Sequence, residues 1–416
     1  MKNELFPRPT PGFSFTRKDA LEQLNAFIPL AGRYAGTRNQ VVPGHPHVSR
    51  LSPAIRHRLI LESECAAAPL RRYAASTVEK FTQEVYWRRY WKNWLSLRPQ
   101  LWTAYLDQLA ALQKNPQSEG VRARAALCEA GEGPVAIMNH FARELMETGY
   151  LHNHARMWFA GWWIHIERLP WQLGADFFLR HLLDGDPASN TLSWRWVAGL
   201  QTPGKTYLPR RRNLEKYLPP EILEIHHAGL YLLENPCPLI LPPEQVSVIT
   251  RPSLPSSPSP KECRLGIWIH EEDLFIEQSP LAALRPSAIL ATGDTATWTR
   301  FRYPEPKTSW LRAALTDAAG RAGSAFGIEA RLHADSPITG ALLRWASDHQ
   351  LQQIAAMRPE IGPLDDQIEE LQTTLTKSGI DLLLLDRPED LALRPLATAG
   401  FFGFWEKIQK SIKAGV

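Results

Sequence analysis

Four cysteines in 416 residues, Cys65, Cys128, Cys237 and Cys263, are too few and too scattered for a disulfide framework. None stands in C-x-x-C spacing, so no zinc or iron–sulfur site is signalled. Long apolar runs are scarce too. The stretch Met157 to Ile166 falls well short of the ~20 residues a membrane span requires. Met1 to Thr10 carries charges and prolines where a secretory leader would be basic, then apolar. A soluble chain in the reducing cytoplasm, with no membrane partner and no metal cluster, is therefore expected. Internal repeats are absent. With 44% apolar and 22% charged residues the composition is that of an ordinary folded protein.

What the chain has in excess is early basic charge and early tryptophan. Residues 1–220 hold 29 Lys+Arg against 18 Asp+Glu, a net +11, while the remainder is net −7. The first half thus suits a polyanion or an anionic cofactor, or else the two halves complement each other across an interface. Ten of the fifteen tryptophans fall between Trp87 and Trp196. Such helices are usually heavy cores, yet this density also suits a pocket with a flat aromatic wall.

Apolar spacing predicts helices over Ala20–Leu30, Ala54–Glu64, Val78–Leu97, Leu101–Gln113, Ala136–Glu147 and Ala155–Ile166. From Pro219 to Pro260 prolines crowd among serines, which argues for a linker. Beyond it, strand-like runs at Arg264–Ile269, Ser287–Ala291, Ile328–His333, Leu351–Met357 and Ile380–Leu385 are predicted. They alternate with helices at Ser309–Ala322, Ile338–Asp348 and Asp365–Lys377. Strands alternating with helices indicate a doubly wound parallel sheet. The expected fold is α/β overall: an all-helical domain over 1–218, a Pro-rich linker over 219–262, and a doubly wound parallel α/β domain over 263–416.

One motif is a decoy. Gly199 to Thr206 spells G-x-x-x-x-G-K-T, but Trp194-Arg195-Trp196 makes a poor buried strand before it and Pro209 follows closely. A richer constellation runs from Gly149-Tyr-Leu-His-Asn153-His-Ala-Arg156-Met157 through Trp171 and Leu183-Asp184-Gly-Asp186-Pro-Ala-Ser-Asn190 to Ser193-Trp194-Arg-Trp196. Gly185 permits close backbone approach between two aspartates, and Arg156 can pair with one of them.

Together with Tyr34-Ala-Gly-Thr-Arg38-Asn39, Val48-Ser-Arg-Leu-Ser-Pro53 and Glu84-Val-Tyr-Trp87-Arg88, these segments resemble the FAD-binding helical domain of the photolyase/cryptochrome family. The resemblance covers roughly Pro9 to Leu218, with the motifs in family order. It implies FAD as cofactor, held by Tyr34, Val48, Ser49, Arg50, Leu51, Ser52, Asn153, Arg156, Asp184, Gly185, Asp186 and Asn190. Ser49, Arg50, Leu51 and Ser52 would face the pyrophosphate, Arg156 and Asp184 would pair beside the flavin ring, and Asn190 would face flavin N5. The implied partner is DNA carrying a pyrimidine dimer, met by Arg38, Trp87, Arg88, His154, Met157 and Trp196. The implied activity is that of a deoxyribodipyrimidine photo-lyase, with Glu84, Asn190, Trp194 and Trp171 in the chemistry; the alternative is a blue-light photoreceptor without repair. Glu84 beside Trp87 is expected to be largely desolvated, which favours its neutral form. Two departures stand out: His154 replaces a DNA-contacting arginine, and Ser118 aligns with the distal tryptophan of the electron chain, for which Trp102, Trp158 and Trp163 are candidate substitutes.

The order of the halves also departs from the family, whose α/β domain comes first. Gly266-Ile-Trp-Ile-His270-Glu-Glu-Asp273-Leu resembles the opening strand of that domain, and Glu360 to Asp366 and Gly379 to Leu383 resemble its end. A circular permutation is expected. His270, Glu271 and Glu272 replace basic residues of the family's segment, so no antenna chromophore is expected.

Overall fold

The computed structural model describes residues 12–201, 205–242, 244, 246 and 262–414. The first part is helical: α1 (Arg17–Ala31), α2 (Tyr34–Thr37), α3 (Ser52–Arg56), α4 (Glu62–Leu70), α5 (Ala75–Ser96), α6 (Gln100–Lys114), α7 (Glu119–Glu129), α8 (Ala136–Thr148), α9 (Asn153–His165), α10 (Trp171–His181), α11 (Pro187–Val197), α12 (Arg211–Tyr217) and α13 (Pro220–Ile225). The expected helix over Ala54–Glu64 is two helices, α3 and α4. Between them Arg58 adopts φ +53°, and Glu64 accepts from the Leu61 amide to start α4 afresh. The break lets buried His57 and Arg58 reach the second part of the chain.

The prolines of the expected linker do not release the chain at once. Leu230 and Leu233 bury in the helical core, and Glu244 pairs with Arg195 at 2.6 Å. Residues 247–261, which hold most of the Pro/Ser stretch, lie outside the described residues.

The second part is built on β1 (Leu265–His270), β2 (Ala288–Thr292), β3 (Ala330–His333), β4 (Gln353–Met357) and β5 (Asp381–Leu385), all parallel in the order β3-β2-β1-β4-β5. After β2 come α14 (Thr295–Arg300) and α15 (Glu305–Phe326). α16 (Ile338–Asp348) and α17 (Asp365–Lys377) connect the later strands, and α18 (Pro388–Leu393) and α19 (Phe401–Ala414) close the chain. The central strands are buried on both faces, and alternate residues join different layers. Ile267, Ile269, Ile289 and Ala291 join Trp310 and Leu315 of α15, whereas Trp268, Leu290 and Ile354 join α16 and α17 on the other face. This is a helical domain followed by a doubly wound parallel α/β sheet.

The two parts meet over buried ion pairs. Arg58 bonds Asp390 at 2.7 Å and Asp273 at 3.0 Å, and Arg387 grips Asp273 through two 2.8 Å bonds. Arg89 reaches Glu62 at 2.9 Å, Glu360 at 2.7 Å and Asp390 at 3.1 Å. Arg56 and Glu272 form a fork-to-fork pair with both bonds at 2.6 Å. Part of the early positive charge therefore complements the later carboxylates, as the opposed net charges allow.

Candidate functional site

Helix α5 explains how one element can serve two surfaces. It has no clean polar face, because it is packed on both sides. Glu84 and Arg88 look into a cavity beside α9 and α11, while Arg89 turns to the α/β part. Lys92, two turns beyond Glu84, completes the cavity-side row by reaching Asp186 at 3.4 Å.

The cavity is about 590 Å³, large enough for a cofactor. Its buried end is the Asp184-Gly185-Asp186 turn between α10 and α11. Asp184 bonds Arg156 at 3.0 and 3.1 Å, lies 3.5 Å from Arg88, and accepts from the Ser52 hydroxyl; these hold it below its ordinary pKa against the cost of burial. Asp186 caps α11 by accepting from the Ser189 amide at 2.7 Å. Lys92 and Arg56 hold it far below the ordinary carboxylate range. A Cβ on Gly185 would lie 3.0 Å from the Leu179 and Leu182 carbonyl oxygens, so any side chain there would crowd the turn. Asn190 donates its amide to the Ala175 carbonyl at 2.8 Å, which fixes the side chain against the wall with its oxygen available. Trp194 packs its six-membered ring against α10 at Gly174, where a Cβ would sit 2.3 Å from the indole.

The cavity wall gathers every site residue expected from the sequence except Arg38, His154 and Trp171. Arg38 stands behind Glu84, with Nε 3.5 Å from its carboxylate. His154 is a correction. It is 8% exposed, its ring bonds the Asn39 carbonyl at 3.0 Å and Asn213 at 3.1 Å, and it packs on Trp158 and Tyr217. Burial lowers its pKa, so it is a neutral core histidine and offers no phosphate contact. Trp171 lies one turn before Gly174 on α10, stacked on Tyr105 at 5.5 Å; Tyr105 in turn meets Trp102 at 5.5 Å. Glu84 is less enclosed than expected, with its side chain 36% exposed. Burial still raises its pKa, opposed by Arg38.

Several residues escaped sequence reasoning. Ser189 and Ser193 carry no motif letter of their own, Arg56 acts from behind Asp186, and Phe402 comes from the far end of the chain. Lys92, by sequence a basic residue that could meet DNA, shares one helical face with Glu84 and Arg88 but is buried and turned to Asp186. The G-x-x-x-x-G-K-T segment follows helix α11, not a strand, and its residues 202–204 lie outside the described residues.

The residues present fit a flavin dinucleotide. Among the described residues the buried Ser189 hydroxyl and Trp194 indole N–H have no hydrogen-bond partner, and both face this cavity. Arg50, at φ +54°, is the lining cation with no ion-pair partner among the described residues. Aromatic walls, ionised aspartates and idle donors are what a flat, polar-edged ring with an anionic tail requires.

Comparison with known proteins gives the class first: residues 81–217 match the family model described as the FAD binding domain of DNA photolyase. The chain is 28% identical over 214 residues to the deoxyribodipyrimidine photo-lyase of Escherichia coli, covering 48% of this chain and 42% of that protein. It is 28% identical to the cryptochrome DASH of Idiomarina loihiensis, covering 49% and 45% respectively. A crystal structure of a bacterial class III photolyase from Agrobacterium tumefaciens aligns with TM-score 0.40 and 23% identity over 53% of this chain and 52% of that one. The chain spans less than half the length of the curated relatives it matches. Over its helical part the chain is thus similar to the FAD-binding domain of photolyases and cryptochromes.

Proposed function

We propose that the protein is a light-dependent DNA repair flavoprotein that splits cyclobutane pyrimidine dimers. The observation that carries this reading is a single cavity whose buried end is lined by Asp184, Asp186 and Asn190 and whose solvent side is lined by Glu84, Asn153, Met157, Trp87 and Trp196. The first set suits FAD and the second suits two flipped bases. FAD, when bound, reduced and excited by blue light, would supply the electron that opens the dimer.

The chain's own residues do the rest. Arg156 and Arg88 keep Asp184 ionised beside the ring, and Lys92 and Arg56 do so for Asp186. Asn190 offers a neutral amide oxygen, which forces no protonation on its neighbour. Glu84, whose pKa burial raises against the pull of Arg38, would in its protonated form donate an O–H hydrogen bond to a base carbonyl where negative charge develops. Trp87 and Trp196 bracket the bases and exclude water. Residues 1–218 and 263–416 are read as the family's two domains in exchanged order, joined through 219–262. No antenna chromophore is assigned to the second, because the end of β1 is engaged by the helical domain through Arg56–Glu272 and His57–Glu271.

A photoreceptor reading has one observation in its favour. Arg38, Arg88 and Arg156 are all paired with carboxylates, which weakens phosphate binding at the mouth. The assay is light-dependent loss of dimers from single- and double-stranded oligonucleotides with pre-reduced protein. Splitting in either form supports repair. A protein that binds no damaged DNA and splits no dimer is a photoreceptor instead.

A further inference from the structure

Helix α19, the last element of the α/β part, begins at the mouth of the cavity. Phe401 stacks face to face on Trp87, centroids 3.8 Å apart and planes at 11°, and is only 3% exposed. Tyr90 adds an edge contact to Phe401 at 5.6 Å, and Trp405 bonds Glu79 through its indole N–H at 3.2 Å. The start of α19 is therefore anchored on α5. The next residue, Phe402, is 63% exposed and still lines the cavity.

We propose that Phe402 is a stacking platform for a nucleobase flanking the lesion in single-stranded DNA, an inference that rests on the repair reading. The ring touches only the edge of Phe401 among the aromatic rings, with centroids 5.7 Å apart, and otherwise stands largely in water at the rim of the cavity, where its neighbour's burial fixes its place. Phe401 already covers one face of Trp87, so that face cannot receive a base. Phe402 supplies a new π surface on the same side of the mouth, from the other part of the chain. Any base has a π face, so such a platform is indifferent to sequence. Flipping the dimer uncovers a face of each flanking base in either form, but in a duplex that base stays paired and held in the helix, whereas an unpaired one can swing onto the ring. The platform thus favours single strands over duplexes.

The test is a coupling cycle in binding to the reduced holoprotein. Wild type, Phe402→Ala and Phe402→Trp are each titrated with a dimer-containing single strand, intact or with an abasic site at one or the other nucleotide flanking the dimer. Phe402→Ala is expected to weaken binding of the intact strand about tenfold, the loss typical of one base–aromatic stack. One of the two abasic strands is expected to bind wild type about tenfold more weakly and Phe402→Ala no more weakly, while Phe402→Trp retains the preference for the intact strand. Bound FAD, read from the absorption spectrum, is expected to be unchanged in both variants. Tighter binding by Phe402→Ala would show a lid over the mouth and overturn the proposal, as would abasic losses equal in wild type and variant. A wild type that binds no damaged strand overturns the repair reading together with the proposal.

Discussion

Asp184 and Asp186 show how one turn carries two different loads. Both are buried and ionised, yet one is held by cavity-lining arginines and the other by Lys92 and Arg56 behind the wall. In the proposed repair Glu84 would have the opposite task, since it could serve as a donor only while neutral. Glu84→Ala is expected to lower the quantum yield of dimer splitting by ~10²–10³, while FAD stays bound and Glu84→Gln keeps much of the yield. Because the Glu84 pKa is raised, the neutral donor persists above the ordinary carboxyl range and is lost as pH rises through that raised value. The splitting yield measured against pH should therefore fall on the alkaline side for wild type and stay level for Glu84→Gln. His154 carries a different lesson. The motif placed it at a phosphate contact, but its bonds to Asn39 and Asn213 put it in the core. His154→Arg, which the motif alone would favour for tighter DNA binding, buries a new charge and is expected to lower stability by ~1–3 kcal/mol, read as a reduced denaturation midpoint. The aspartate turn was legible because its spacing is local. The surroundings of His154 were not, because Asn213 is far away in sequence.

At the scale of elements, α5 joins the cavity to the α/β part. Its cavity side holds Glu84, Arg88 and Lys92, and its other side holds Arg89 with Glu62, Glu360 and Asp390. Arg89→Met leaves three carboxylates short of a cation and is expected to cost ~3–5 kcal/mol, measured by denaturant unfolding. The strands and the helices α16 and α17 were readable to within a few residues, because each is a short apolar run or a clean periodic stretch. The division of Ala54–Glu64 into α3 and α4 was hidden, since its cause is the pull of Arg58 towards Asp273 and Asp390. Likewise nothing local marks α19 as part of the cavity, because its contact with Trp87 spans most of the chain.

For the molecule as a whole, the interface joins opposed net charges. Arg56 holds Glu272 down to about 2, and Arg58 and Arg89 do the same for Asp390, also at about 2. Depressed carboxylates contribute stability that is fully present above their unfolded pKa, near 4–4.5, and is lost as pH falls towards 2. Unfolding midpoints should therefore drop steeply below about pH 4.5, and Glu272→Gln should flatten part of that slope. The central claim is that this cavity holds FAD, and the most direct measurement is the absorption spectrum of the purified protein with quantification of the flavin released on denaturation. One FAD per chain is expected in the wild type, with strong loss in Asp184→Ala. A colourless protein that takes up no FAD on reconstitution would contradict the account.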